Sequence, residues 1–176
     1  MAPGPIFDTV SAFYEGEGWN PQWLEGTSVL TMGYSGKAAR WVCYADARDD
    51  AQQFVLYSIS PINAPEHRRH AVAEFITRAN FGLTIGSFEM DYADGEIRFK
   101  TAIDVEGAQL VPALIRQMTQ ASVFAMETYL PGILSVIYGG VDPADAIMQL
   151  ESTLRRRPPA ASAATEPASP DASSLP

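Results

Sequence analysis

The chain has 176 residues, 47% of them hydrophobic, and carries a formal net charge of −9. That length supports one domain with a real core and is short for two. At a pI of about 4.6, its surface repels phosphate backbones and anionic lipid, which argues against nucleic-acid and membrane-surface partners.

Taken in order, Pro5 suits the first position of a helix whose apolar stripe is Ile6, Val10 and Phe13, joined by Phe7 and Tyr14. Gly16 and Gly18 stop it. Trp19, Pro21 and Trp23 form an aromatic connector expected to pack under the first strand. Strands are expected over residues 27–34 and 38–44, around a Ser35-Gly36-Lys37 turn, and over 54–60 after a polar loop at 46–50. The second and third of these are apolar on both faces. Trp41 and Cys43 oppose Val42 and Tyr44, while Phe54 and Leu56 oppose Val55, Tyr57 and Ile59. A sheet covered on one side alternates apolar with polar residues. The second face is therefore expected to be covered by a helix, another copy of the chain or a partner.

The centre of the chain, residues 65–105, reads as an amphipathic helix followed by a β-hairpin. Val72, Phe75, Ile76 and Ala79 share one helical stripe. Asn63 and Glu66 have the spacing of a capping box, and Asn80 and Gly82 end the helix. Leu83 and Ile85 are out of phase with Phe88 and Met90, so Gly86 marks a bulge or the strand start. Asp94-Gly95 suits a two-residue type I′ turn. That turn sets Tyr92 opposite Ile97, Met90 opposite Phe99 and Phe88 opposite Thr101 on a core face. On the wet face it sets Asp91 against Arg98 and Glu89 against Lys100.

After Gly107 comes the longest helix, with Pro112 in its first turn. Its stripe is Val111, Ile115, Met118, Ser122, Ala125 and Tyr129, widened by Leu114, Ala121 and Phe124. Pro131 is expected to kink or break it. The apolar run at 130–141 is too short to span a bilayer. A last helix at 142–156 opens with Asp142-Pro143 and has Ile147, Leu150 and Leu154 on one face. Residues 157–176 are Pro, Ala and Ser-rich and are expected to be disordered, leaving a single domain at 1–156 with its core at 5–140. The first residues have neither a basic region nor an apolar one, so no signal peptide is expected. The single cysteine allows no internal disulfide. A cytoplasmic protein is the default expectation.

The order helix, three strands, helix, two strands, long helix carries Asn80, Gly86-Ser87-Phe88 and the Asp94-Gly95 hairpin before the long helix. It resembles the YbjN family of bacterial sensory transduction regulators over roughly residues 5–140. The resemblance implies a fold similar to that of type III secretion chaperones, which are small acidic proteins that bind other proteins. It implies protein binding without catalysis.

The residues themselves supply no reaction. His67 and His70, with Glu66 and Glu74, could suggest a metal, but Arg68 and Arg69 lie between them and a solvated helix face is the better reading. Asp46, Asp49 and Asp50 lack the spacing and glycine of an EF-hand loop. Cys43 has no base beside it and reads as a buried strand residue. No phosphate loop or nucleophile elbow occurs. No catalytic residue, cofactor or metal is therefore assigned.

The expected fold is α+β, an antiparallel sheet with helices packed on it in the order α-β-β-β-α-β-β-α(-α), the central and long helices covering one face. The expected function is a non-catalytic protein-binding module, chaperone- or adaptor-like and regulatory, with a protein client and a possible homodimer. Met32, Tyr34, Trp41, Tyr44 and Tyr57 are either core or the partner-binding surface. The alternative is a small-ligand sensor, or an enzyme, using a pocket between helix and sheet.

Overall fold

The computed structural model describes residues 4–156. The expectation of disorder at 157–176 lies outside the described residues. Helix α1 (Pro5–Gly16) is followed by strands β1 (Gln22–Trp23), β2 (Val29–Ser35), β3 (Arg40–Arg48) and β4 (Gln53–Ile59). Helix α2 (Arg69–Gly82), strands β5 (Ser87–Met90) and β6 (Ile97–Asp104), and helices α3 (Pro112–Tyr138) and α4 (Pro143–Arg156) follow among the described residues. The strands form one antiparallel sheet in the order β1-β2-β3-β4-β6-β5. The α+β architecture is the expected one.

One face of this sheet is the core. Trp41, Cys43, Ala45 and Ala47 of β3, Phe54 and Leu56 of β4, and Ile97 and Phe99 of β6 are buried on it. Helix α1 packs against β3, α3 against β4 and β6, and α2 against β5. Helix α4 packs on α2 and α3. Alternation thus survives on β3, where Val42 and Tyr44 stay exposed at 43% and 37%. Among the described residues no helix covers that second face. Arg40, Asp46 and Arg48 share that face with Val42 and Tyr44, and on β4 Val55 is buried there while Tyr57 and Ile59 are half-buried.

Several local expectations are corrected. The aromatic connector contains a short edge strand, β1, paired with β2 through Gln22–Thr31 and Trp23–Leu30. Strand β3 runs on through Asp46 to Arg48, so the polar loop shrinks to a 3₁₀ turn at Asp49–Ala51. There the Asp49 carboxylate accepts hydrogen bonds from the Ile6 and Phe7 amides at 2.7 and 3.3 Å, capping α1 from a distant element. Asn63 caps nothing. Its amide points at the Asp94 carbonyl (3.5 Å), and a 3₁₀ turn at Glu66–Arg68 precedes α2.

The hairpin register differs from expectation by two residues. Phe88 lies opposite Phe99, Glu89 opposite Arg98 and Met90 opposite Ile97. The loop is four residues long, closed by the Asp91 amide on the Glu96 carbonyl (2.9 Å) and the Gly95 amide on the Asp91 carbonyl (2.8 Å). Gly95 sits at φ +81°, and a side chain there would strike the Ala64 carbonyl. A two-residue shift keeps parity, so the core face is as expected. Tyr92, however, leaves that face for the loop, 51% exposed, and Thr101 pairs with Leu56 instead. Arg98 and Lys100 both pair with Glu89 rather than being shared with Asp91.

Helix α3 is continuous through Pro131. Next to it, Gly132 admits the Phe75 ring and the Leu150 side chain. Ile115, Met118, Ser122, Ala125 and Tyr129 are buried as the stripe requires, but Val111 is only the N-cap and Phe124 points outward, 53% exposed. By length and composition α3 could cross a membrane. Its buried side nevertheless forms the sheet's cover, as in a core helix.

Candidate binding cleft and open sheet face

Four aromatic residues form a ladder from α1 to β3. Tyr14 meets Trp19 at 5.5 Å between ring centroids, Trp19 meets Tyr34 at 5.3 Å, and Tyr34 meets Trp41 at 4.7 Å. The ladder exists because α1 crosses β3 while β1 returns antiparallel to β2, which brings Trp19 beside Tyr34. Trp41 and Tyr14 are its buried ends, and Trp19 and Tyr34 its half-buried middle. The Tyr14 hydroxyl bonds to Thr119 on α3 (2.9 Å). Burial pushes the Tyr14 phenol well above its ordinary pKa, with the Thr119 bond opposing.

Beside the ladder lies an open cleft of about 880 Å³. Phe13, Trp19 and Tyr34 line one side and Leu150, Thr153 and Leu154 of α4 the other. Helix α3, which packs on both α1 and α4, lies between them and contributes Val123 and Phe124. Its polar groups are largely engaged with one another. Arg116 pairs with Glu17 (2.9 Å) and stacks over Phe13 (5.5 Å). Glu127 accepts the Lys37 backbone amide (2.9 Å). What remains is apolar and aromatic surface, with the Lys37 side chain at its border.

The second candidate is the uncovered sheet face. Tyr44 lies opposite Tyr57, and Val42 opposite Ile59. The Arg98 guanidinium sits 4.7 Å above the Tyr57 ring and pairs with Glu89 at 2.9 Å. Burial opposes ionisation of Glu89, but hydrogen bonds and charge from Lys100 and Arg98 hold its carboxyl below the usual range.

Residues 7–135 match the family model YbjN, described as "Putative bacterial sensory transduction regulator". The chain belongs to the YbjN family. A crystal structure of YbjN from E. coli, described as "a putative transcription regulator", superposes with a TM-score of 0.52 at 11% identity, over 73% of this chain and 92% of that one. At that identity the likeness is one of fold. No curated protein matches the chain. The family description makes this a member of a family of bacterial regulators.

The five residues singled out from sequence do not share one surface of this YbjN-family domain. Met32 and Trp41 are buried on the core face, 3% exposed each. Tyr34 lines the cleft. Tyr44 and Tyr57 lie on the open face. Sequence reasoning missed Phe13, Trp19 and Phe124 as cleft residues. Phe124 carried a usable signal, because it sits at the margin of the α3 stripe.

The other candidate chemistry is dispersed. His67 is exposed, and His70 packs edge-on against Tyr92 at 5.9 Å. Asp46 binds Arg48 and Ser28, and Asp49 caps α1. Among the described residues no three His, Cys, Asp or Glu side chains gather as a metal-binding set. Cys43 is buried beside Ser58 (3.3 Å), which bonds Ser122 of α3 (2.8 Å). Burial raises its thiol pKa.

Proposed function

We propose that this protein is a non-catalytic, cytoplasmic regulator that binds an extended segment of a partner protein in the cleft over α3. The observation that carries the reading is the half-buried aromatic pair Trp19–Tyr34 facing Phe124 across an open apolar cleft. Aromatic-lined grooves take extended peptides through shape and ring contacts, with few directional polar groups. A small-molecule site instead converges several free polar groups on one point. Here Glu17, Arg116 and Glu127 are already paired, which favours the peptide.

The chain's only two lysines permit a direct test. Lys37 borders the cleft, and Lys100 lies on the open sheet face. The complex isolated from the native cell at low salt is treated with a lysine-reactive crosslinker and mapped by mass spectrometry. A stoichiometric partner linked through Lys37, and lost in Phe124→Asp, is expected. Links through Lys100 alone, with capture unchanged in Phe124→Asp, refute the cleft. A co-purified small molecule in place of a partner transfers the site to a ligand sensor.

A second reading rests on the 43% exposure of Val42 and 37% of Tyr44 beside Tyr57 and Ile59. We propose that a second copy of the chain covers this patch. Its charges of both signs, Arg98 against Glu89, suit a self-complementary two-fold interface. Light scattering at rising concentration is expected to show a dimer that Tyr44→Asp dissociates. A strict monomer at high concentration ends this reading.

A further inference from the structure

We propose that residues 157–176 of this chain occupy the cleft over α3 and compete with the partner for it. The inference rests on reading the cleft as a peptide site and names its resting occupant. Three observations carry it. First, α4 delivers the chain to the cleft. Leu150, Thr153 and Leu154 form one wall, and residues 157–176 follow α4 directly in the sequence.

Second, the chemistry of the segment fits the surface. It contains Pro158, Pro159, Pro167, Pro170 and Pro176, separated mostly by Ala and Ser, with Leu175 as its one large apolar residue. Proline-rich segments pay little to order, and their ridges dock between aromatic rings. Phe13, Trp19, Tyr34 and Phe124 supply the rings. Glu166 and Asp171 complement the Lys37 ammonium, which has no partner among the described residues.

Third, tethering makes a weak contact sufficient. A short flexible connection holds its ligand at an effective concentration on the order of 1 mM. A segment with millimolar intrinsic affinity is then docked about half the time, and a partner must displace it.

The test uses the full chain. A nitroxide is placed on Ser169→Cys, with Cys43 protected by burial, and the backbone amides are observed by NMR. Amides close to α4 broaden whether or not the segment docks. The informative ones are Glu17, Trp19, Lys37 and Ala38 on the far wall. Docking predicts that these lose more than half their intensity and recover in Phe124→Asp. They also recover in Pro158→Gly with Pro159→Gly and Pro167→Gly, changes that leave the domain untouched. Broadening confined to α4, or broadening indifferent to both variants, overturns the proposal. Far-wall broadening in an isotope-labelled chain mixed with a separate spin-labelled chain makes the occupant another copy and also overturns it. No partner enters the experiment, so its failure is separate from that of the peptide-binding reading.

Discussion

Asn80→Ala should expose how the sheet's outer edge is closed. Strand β5 has one strand neighbour, β6, so Phe88 turns its backbone N–H and C=O outward. The Asn80 side chain meets both. Its Oδ1 accepts the Phe88 amide at 2.7 Å, and its Nδ2 donates to the Phe88 carbonyl at 3.0 Å. One side chain thus stands in for a further strand, and an edge so capped is a poor template for another chain. Alanine removes two part-buried hydrogen bonds, each worth about 1 kcal/mol net, so a loss of roughly 2 kcal/mol follows. For a domain of this size that lowers Tm by about 4–8 °C. Thermal and urea melts followed by circular dichroism measure it. Asn80→Asp keeps the acceptor but sets a carboxylate against the Phe88 carbonyl, so it should do no better than alanine at neutral pH. A change under ~0.5 kcal/mol in Asn80→Ala, within the range of an ordinary surface substitution, would refute the edge-cap argument.

Gly132→Ala places a Cβ 2.5 Å from the Phe75 ring and 2.6 Å from Leu150. Overpacking of about 1–3 kcal/mol should exceed the ~1 kcal/mol of helix propensity gained, and a denaturant melt showing stabilisation would contradict it. Tyr14→Phe loses the bond to Thr119 while Thr119 still donates to the Ile115 carbonyl, so about 1 kcal/mol of destabilisation is expected from the same melts. Glu89 has a folded pKa below its ordinary 4.5. The stability it adds is complete above that ordinary value and is lost as pH falls through the lower, folded one. Acid titration of the melts in Glu89→Gln should therefore lose part of the wild-type slope in that window, by well under ~1 kcal/mol at so exposed a site. The Cys43 thiol should resist a disulfide reagent at neutral pH and react on unfolding, because burial both raises its pKa and blocks access. Fast native labelling would count against it.

The elements that sequence showed most clearly were those whose periodicity faces a single neighbour. The α2 stripe, the parity of the hairpin and the buried side of α3 all follow from one apolar surface meeting one layer. Errors arose where a distant residue decided the local outcome. The Asp94-Gly95 signal is genuine, since Gly95 needs its positive φ. Yet the Asp91–Glu96 backbone bond lengthens the loop, and parity alone cannot separate registers two residues apart. The N-terminus of α1 is capped from Asp49, more than forty residues away, so no local cap was there to be found.

The candidate site was less legible for the same reason. An aromatic residue on a strand reads identically whether its ring enters the core or lines a cleft. The difference lies in what crosses above it. Tyr34 and Trp41 lie opposite each other in the β2–β3 pair and share one face, yet Trp41 is sealed while Tyr34 stays half exposed. That difference follows from where α1 and Trp19 end and α3 passes. Phe124 shows the converse. Its neighbours Ala125 and Met126 are fully buried, while Phe124, at the margin of the same stripe, stays half exposed. A large aromatic held half in water by a rigid helix, in an open cleft with two more, forms an exposed apolar patch of the kind that marks interaction sites. Phe124→Asp, which leaves the core untouched, is for that reason the variant on which the reading of the cleft depends.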